Sequence, residues 1–360
     1  MKQKIIHIVP TFSAGGAERL VLEYAQHLDR ATYEVTVASC VEDGELRSLI
    51  EATGVDVYTS SRKTQRGRIG AFIALWKFVN TKKPAIIHSH LISSDVFAFV
   101  YTRFHKATRW VTTLHNVEHN RPWWYHLVWR MILLHADQVI AVSSAVATYA
   151  KETFRLPADH IHLVLNGIDL KRWMHTAKAP LFTQTPLQLA TIGRFETQKG
   201  HTFLFDALAQ IRDIDWQYHT FGVGSLREAL VKQAEDLGIA DRIHWHGIVS
   251  DLPDALRHID VVVQPSLWEG LSLTVMEAMA AGRVLLTTTP AAAELATHGE
   301  TAYVVPEAHA DALADALRHI HDDNRAAARI AAAGKKYAWD HFSFDVHLAA
   351  LTSVYTSLQL

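Results

Sequence analysis

Thiols are nearly missing from this chain. Cys40 is the only cysteine in 360 residues, so no disulfide can form within it and a reducing cytoplasm fits best. Long apolar runs are missing too: no uninterrupted stretch approaches the ~20 residues that a membrane-spanning helix needs. The first ten residues carry an apolar run, but His7 interrupts it and Pro10 follows, so it reads as a first strand rather than a secretory leader. A concentrated basic stripe with a recognition motif is also lacking, which argues against nucleic acid as a partner.

What is present is ordinary in bulk and uneven in detail. Hydrophobic residues make up 49% and charged residues 20%, and the length suffices for two domains, each with its own core. The net charge of −2 hides an asymmetry. Residues 1–175 hold 21 Lys and Arg against 15 Asp and Glu, or +6; the remainder holds 14 against 22, or −8. Opposite signs suggest that the halves face different partners. Strand-like runs at 5–9, 34–40, 55–60, 85–90, 109–115, 138–143 and 162–169 alternate with helical patterns such as 17–28. A linker rich in Thr, Pro and Lys follows at about 176–186, and a second series runs through 187–193, 215–222, 242–249, 261–267, 284–289 and 302–306. Each half therefore predicts a doubly wound, Rossmann-like α/β domain with a mainly parallel sheet. Ligands of such sheets bind beyond the carboxyl ends of the strands.

Four stretches at predicted strand ends carry chemistry. The first is Gln264 to Gly282, QPSLWEGLSLTVMEAMAAG, which leaves the strand Val261-Val262-Val263 through a turn into good helix formers. First-turn amides around Ser272 to Val275 suit an anion, and Glu269 and Glu277, with seven residues between them, suit hydroxyl groups. Anion plus polyol outlines a sugar nucleotide. The plain alternative is that Thr274-x-x-Glu277 is a capping box and Glu269 a solvated turn residue. The second stretch, Gly193-Arg194-Phe195-Glu196-Thr197-Gln198-Lys199-Gly200, places a planar guanidinium and a point charge in a loop bounded by glycines, as a diphosphate requires, unless it is merely a solvated basic loop. The third, Gly15-Gly16-Ala17-Glu18-Arg19, opens a helix and either lets backbone approach a ligand or only reverses the chain. The fourth is Thr112-Thr113-Leu114-His115-Asn116; in a chain with 23 histidines, a single one is most often structural.

Together these stretches resemble the family-4 retaining glycosyltransferases, whose EX7E region matches Glu269 to Glu277 and whose G-R-x-x-x-x-K-G and G-G-A-E-R sequences match residues 193–200 and 15–19. The resemblance covers nearly the whole chain. It implies a GT-B fold: an acceptor-side domain over 1–178, a donor-nucleotide domain over 179–342 facing it across a cleft, and a helix at about 343–360 crossing back onto the first. It implies Arg194 and Lys199 on the donor diphosphate, Glu277 on the ribose, and Glu269 and His115 on the donor sugar. Gly15, Gly16, Gly222 and the amides of residues 270–273 would complete the donor site, and Arg19 is a weaker candidate for an acceptor phosphate. Activity would be anomer-retaining transfer from a UDP- or GDP-sugar, with no metal and no cofactor. The acceptor would be a lipid-linked saccharide or oligosaccharide, and the location the cytoplasm, docked on the inner face of the plasma membrane. A GT-B sugar-nucleotide epimerase and a catalytically silent subunit are the alternatives. Ser272 departs from the family, where many members carry glycine, and would crowd the donor sugar.

Other motifs are set aside. Phe221-Gly222-Val223-Gly224-Ser225 has Arg227 where a dinucleotide fingerprint needs its third glycine, and instead is similar to the family's G-x-G turn. His88-Ser89-His90 and His244-Trp245-His246 have no acidic or Cys neighbour and read as core or rim histidines. Asp213-Ile214-Asp215 is a D-x-D at the wrong end of its strand. Two surface features, the basic loop Arg62, Lys63, Arg66, Arg68 and the aromatic stretch 121–134, suit an anionic membrane, though a buried helix also collects Trp and Leu.

Overall fold

Apolar runs that have no polar alternation form strands buried on both faces, and this accounts for the architecture. The computed structural model describes residues 2–13, 15–61, 67–118, 121–179, 181–183, 185–249 and 251–358. Among them, one sheet comprises β1 (Gln3–Val9), β2 (Tyr33–Ser39), β3 (Asp56–Thr59), β4 (Ile86–His90), β5 (Arg109–Leu114), β6 (Gln138–Ala141) and β7 (Ile161–Leu163), in the order β3-β2-β1-β4-β5-β6-β7. The other comprises β8 (Leu187–Ile192), β9 (Trp216–Phe221), β10 (Ile243–Gly247), β11 (Val261–Gln264), β12 (Val284–Thr288) and β13 (Tyr303–Val305), in the order β10-β9-β8-β11-β12-β13. The pairings are parallel in both. Each order reverses once, between β1 and β4 and between β8 and β11. Those switch points open a crevice at the strands' carboxyl ends.

Amphipathic helices close the sheets. The helix Ala310–Asp322 buries Leu313, Ala314, Leu317 and Ile320, spaced so that they share one face. They pack in one cluster with Leu204, Phe205 and Leu208 of the helix His201–Gln210 and with Val261, Val263 and Leu286 of the sheet. Each such Leu, Ile, Val or Phe side chain contributes about 1.5–3 kcal/mol on burial.

The chain divides into two units, Met1–Asn166 with His347–Leu360, and Gly167–Val346. Residues 167–178, grouped by sequence with the first domain, pack on the second. A buried arginine holds them there: Arg283 donates through Nη2 to the Thr176 carbonyl and through Nη1 to the Ile259 carbonyl, both at 3.0 Å. Desolvation pushes its pKa down to about 10. From His347 onward the terminal helix Phe344–Ser357 belongs to the first unit, where His347 Nε2 meets the Tyr24 hydroxyl at 2.8 Å.

Candidate functional site

In the second unit, β8 and β11 end side by side at the switch point, and their loops touch. Thr191 Oγ1 donates to the Val263 carbonyl at 2.9 Å and Thr274 Oγ1 to the Ile192 carbonyl at 3.3 Å, tying the two strand ends together. Gly200, at φ +63°, passes so close to Pro265 that a Cβ there would lie 2.0 Å from the Pro265 oxygen. Only glycine meets both demands. Lys199 is thereby delivered to Glu269, donating from Nζ to Oε1 at 2.6 Å. Ser266 Oγ at 2.7 Å and Gln264 Nε2 at 3.2 Å donate to the same oxygen, and Gln198 Nε2 donates to Oε2 at 3.4 Å. Glu269 is thus an organised carboxylate and no solvated turn residue. Arg194 is exposed, and its guanidinium has no partner among the described residues.

The helix Leu273–Ala280 begins differently from a capping box. Ser272 is its N-cap and accepts from the Val275 amide at 3.4 Å, while Thr274 lies in the first turn and bonds to Ile192. Glu277 is half-buried in the second turn, where it cannot close a Thr274 box. The same geometry corrects the expectation for the anion site. The Val275 amide is taken by Ser272, leaving those of Leu273 and Thr274 without partners among the described residues. Ser272 is buried with its hydroxyl turned to its own helix, so crowding of a sugar by that hydroxyl is not what the geometry offers. Gly270 and Leu271 are buried in the turn. Gly222 buttresses the opposite loop: a Cβ there would lie 1.9 Å from the Gly193 oxygen. Glu196 clamps that turn, accepting from the Ser225 amide at 3.1 Å and its hydroxyl at 2.9 Å.

In the first unit, Gly15 precedes the helix Gly16–His27, and a Cβ on Gly15 would strike the buried Glu18 carboxylate, whereas Gly16 has open space. Arg19 is half-buried in the first turn. His115 follows β5, partly exposed, with Nε2 bonded to His90 Nδ1 at 3.0 Å. Desolvation pushes its pKa down to about 3.

Two family descriptions match the chain: Glycosyltransferase Family 4 over residues 14–172 and Glycosyl transferases group 1 over residues 186–323. A lipopolysaccharide core biosynthesis mannosyltransferase of Rhizobium meliloti is 30% identical over 255 residues, 65% of this chain and 69% of its own. This chain belongs to the family 4 glycosyltransferases. Glycogen synthase of Mycobacterium tuberculosis is 27% identical over 289 residues, 76% of this chain and 69% of its own. For the fold, Anabaena HepE, crystallised with UDP and glucose, superposes with a TM-score of 0.87 at 20% identity, over 99% of this chain and 100% of its own. The two sheets are accordingly those of a GT-B glycosyltransferase.

Within this family member the motifs set aside find other uses. Asp213 forms a surface ion pair with Arg318 at 2.6 and 2.8 Å. His244 and His246 lie on the edge strand β10, bonded to Gln217 and His219. His88 and His90 gain a neighbour that sequence reading missed: His7 stands opposite His88 in the β1–β4 register. Gln264, Ser266 and Gln198 were also missed as partners of Glu269, because nothing in their spacing signals the contact. The stretch 121–134 is both core and surface. The helix Trp123–Leu133 buries Trp129, Ile132 and Leu133 but leaves Trp123 74% and Leu127 59% exposed, with Trp124, Val128 and Met131 beside them. Of the basic loop, Arg62, Lys63 and Arg66 lie outside the described residues; Arg68 begins the helix Arg68–Lys82. Among the described residues, no helix is long and apolar enough to cross a membrane.

Proposed function

We propose that this glycosyltransferase moves a sugar from a UDP- or GDP-sugar to a saccharide acceptor with retention of anomeric configuration and without a metal. The observation that carries the reading is the convergence of Arg194, Lys199, Glu269 and the amides of Leu273 and Thr274 on one switch point. Arg194 and Lys199 hold the diphosphate and stabilise charge that grows on it as the glycosidic bond breaks. The two amides, at the positive end of a helix dipole, add to that field. Glu269 orders sugar hydroxyls, Glu277 binds the ribose, and His115 meets the donor sugar. Gly15 and Gly16 approach the diphosphate through backbone, and Arg19 takes an acceptor phosphate. Transfer occurs on the face the diphosphate leaves from, and the departing oxygen assists deprotonation of the acceptor hydroxyl, so no separate protein base is required. With cationic side chains on the diphosphate, EDTA should leave turnover unchanged. NMR of the product should show the donor's anomeric configuration. An inverted product, or activity abolished by EDTA and restored by Mg²⁺ or Mn²⁺, contradicts the reading.

The acceptor we propose is a lipid-linked saccharide of surface-polysaccharide synthesis, met by the enzyme at the cytoplasmic face of the plasma membrane. The exposed face of Trp123, Trp124, Leu127, Val128 and Met131 supports this, because a contiguous apolar patch rich in Trp suits an interface. The +6 charge of residues 1–175 adds attraction to anionic lipid, about 1 kcal/mol for each cation near the surface. The protein should sediment with anionic vesicles at low salt and be released by high salt. Trp123→Ser with Trp124→Ser should weaken the binding. Indifference to such vesicles would turn the proposal toward a soluble acceptor.

A further inference from the structure

The first unit contains a line of hydrogen-bonded imidazoles that leads to His115. Register puts it there, because β1 lies against β4 with His7 opposite His88, and β4 lies against β5 with His90 opposite Thr113. His7 Nδ1 meets His90 Nε2 at 3.2 Å, and His90 Nδ1 meets His115 Nε2 at 3.0 Å. His88 stands aside, its Nδ1 against the Tyr355 hydroxyl at 2.6 Å and its Nε2 against Thr113 Oγ1 at 2.7 Å. One ring nitrogen from each of His7, His88 and His90 falls within 4.8 Å of the others, as a metal would need. However, His88 already uses both nitrogens on Tyr355 and Thr113, and His90 uses one on His115 and the other on His7 itself.

The line has two ends. At the inner end His7 Nε2 is buried and has no partner among the described residues. At the outer end is Nδ1 of the partly exposed His115, which also has none among the described residues. Burial holds all three rings neutral, with His7 and His115 lowered to about 3 and His90 lowered well below its ordinary value. A neutral imidazole has one N–H and one lone pair, so both links must run in the same sense. If they run inward, the line ends in an N–H at His7 Nε2, buried with nothing to accept it. If they run outward, it ends there in a bare lone pair. Orphaned buried N–H groups are the rarer defect.

We propose that the line runs outward: His7 donates to His90 and His90 to His115, which locks His115 in the Nδ1–H tautomer. His7 and His90 are then positioning residues, and His115 is a fixed neutral donor that cannot serve as a general base through Nδ1. Resting on the function proposed above, that N–H is for an accepting oxygen of the donor sugar, a hydroxyl or a carboxylate, and it discriminates against a sugar that offers an ammonium group there.

Long-range ¹⁵N–¹H NMR of the full chain with labelled histidine, without donor, tests the tautomer directly. His115 should show a protonated Nδ1 and a bare Nε2; the reverse assignment overturns the proposal whether or not any nucleotide binds. His7→Phe keeps the ring volume and removes the first donor. It should turn the His115 signals into a mixture of tautomers and lower kcat/KM by about tenfold, the low end for losing a partner that orients an imidazole. His7→Asn, whose amide N–H replaces Nδ1–H, should restore both. Wild-type kcat/KM in a folded His7→Phe overturns the positioning role, and if that variant does not fold, the wild-type spectrum decides. Failure of every sugar nucleotide to bind removes the proposed function instead, and the spectrum still reports the direction of the line.

Discussion

Lys199→Ala is expected to lower turnover by about 10²-fold or more, the scale for removing a preorganised charge that stabilises a transition state. The structure makes the loss separable from misfolding. Glu269 keeps Ser266, Gln264 and Gln198 as donors when the ammonium is gone, so its carboxylate is not stranded. The function suffers twice, since a cation leaves the diphosphate and an anion that it neutralised at 2.6 Å remains nearby. Donor KM should rise as well. Because the two side chains touch, the double variant with Glu269→Gln should show effects that do not add. A folded Lys199→Ala with wild-type kinetics would remove Lys199 from the site.

The second large effect is acid lability of the first unit. Five of its histidines are held neutral by desolvation: His7 and His115 are lowered to about 3, His347 to about 4, and His88 and His90 well below the ordinary imidazole range. In the unfolded chain each takes a proton below about pH 6.5. The unfolded state therefore binds more protons as pH falls, and stability is present above 6.5 and lost below it. Each histidine contributes about 1.4 kcal/mol per pH unit, so five contribute about 7. Asp95 opposes them by one proton. Desolvation raises its pKa to about 7 against the donors Ser89 and Thr112, so the folded state keeps a proton that the unfolded state releases. The net slope of about 5 kcal/mol per unit is comparable with a domain's whole stability. Hydrogen exchange read by mass spectrometry should show residues of the first unit opening together between about pH 6 and 5. In the second unit the comparable groups are His201 and His219, each lowered to about 4, so it should open later. Equal protection of both units down to pH 4.5, an estimate of where the slope is fully developed, would contradict this account.

The alternation of strand and helix was legible because each strand is a short run with its own punctuation. The loop 193–200 and the carboxylates Glu269 and Glu277 could be singled out because each group of residues is close in sequence. What was not legible depends on which strands become neighbours. Lys199 and Glu269 are 70 residues apart and meet only because β8 lies against β11. His7 and His90 lie on two strands and His115 just beyond a third, and no local pattern states the order of those strands. The Thr274–Glu277 spacing suggested a box, yet the helix starts two residues earlier because Ser272 caps it and Thr274 is drawn to the Ile192 carbonyl. Arg283 gave no signal at all, since a buried arginine satisfied by backbone carbonyls looks in sequence like any surface charge.

The claim on which the rest depends is that the second unit holds a nucleoside diphosphate, and titrating the intact protein with UDP and GDP in a calorimeter tests it most directly. One of the two should bind. Glu277→Gln should weaken that binding about tenfold, the cost of a charged hydrogen bond to ribose, at an unchanged melting temperature. Binding of neither nucleotide to folded protein, or a Glu277→Gln variant that binds as the wild type does, would contradict the account.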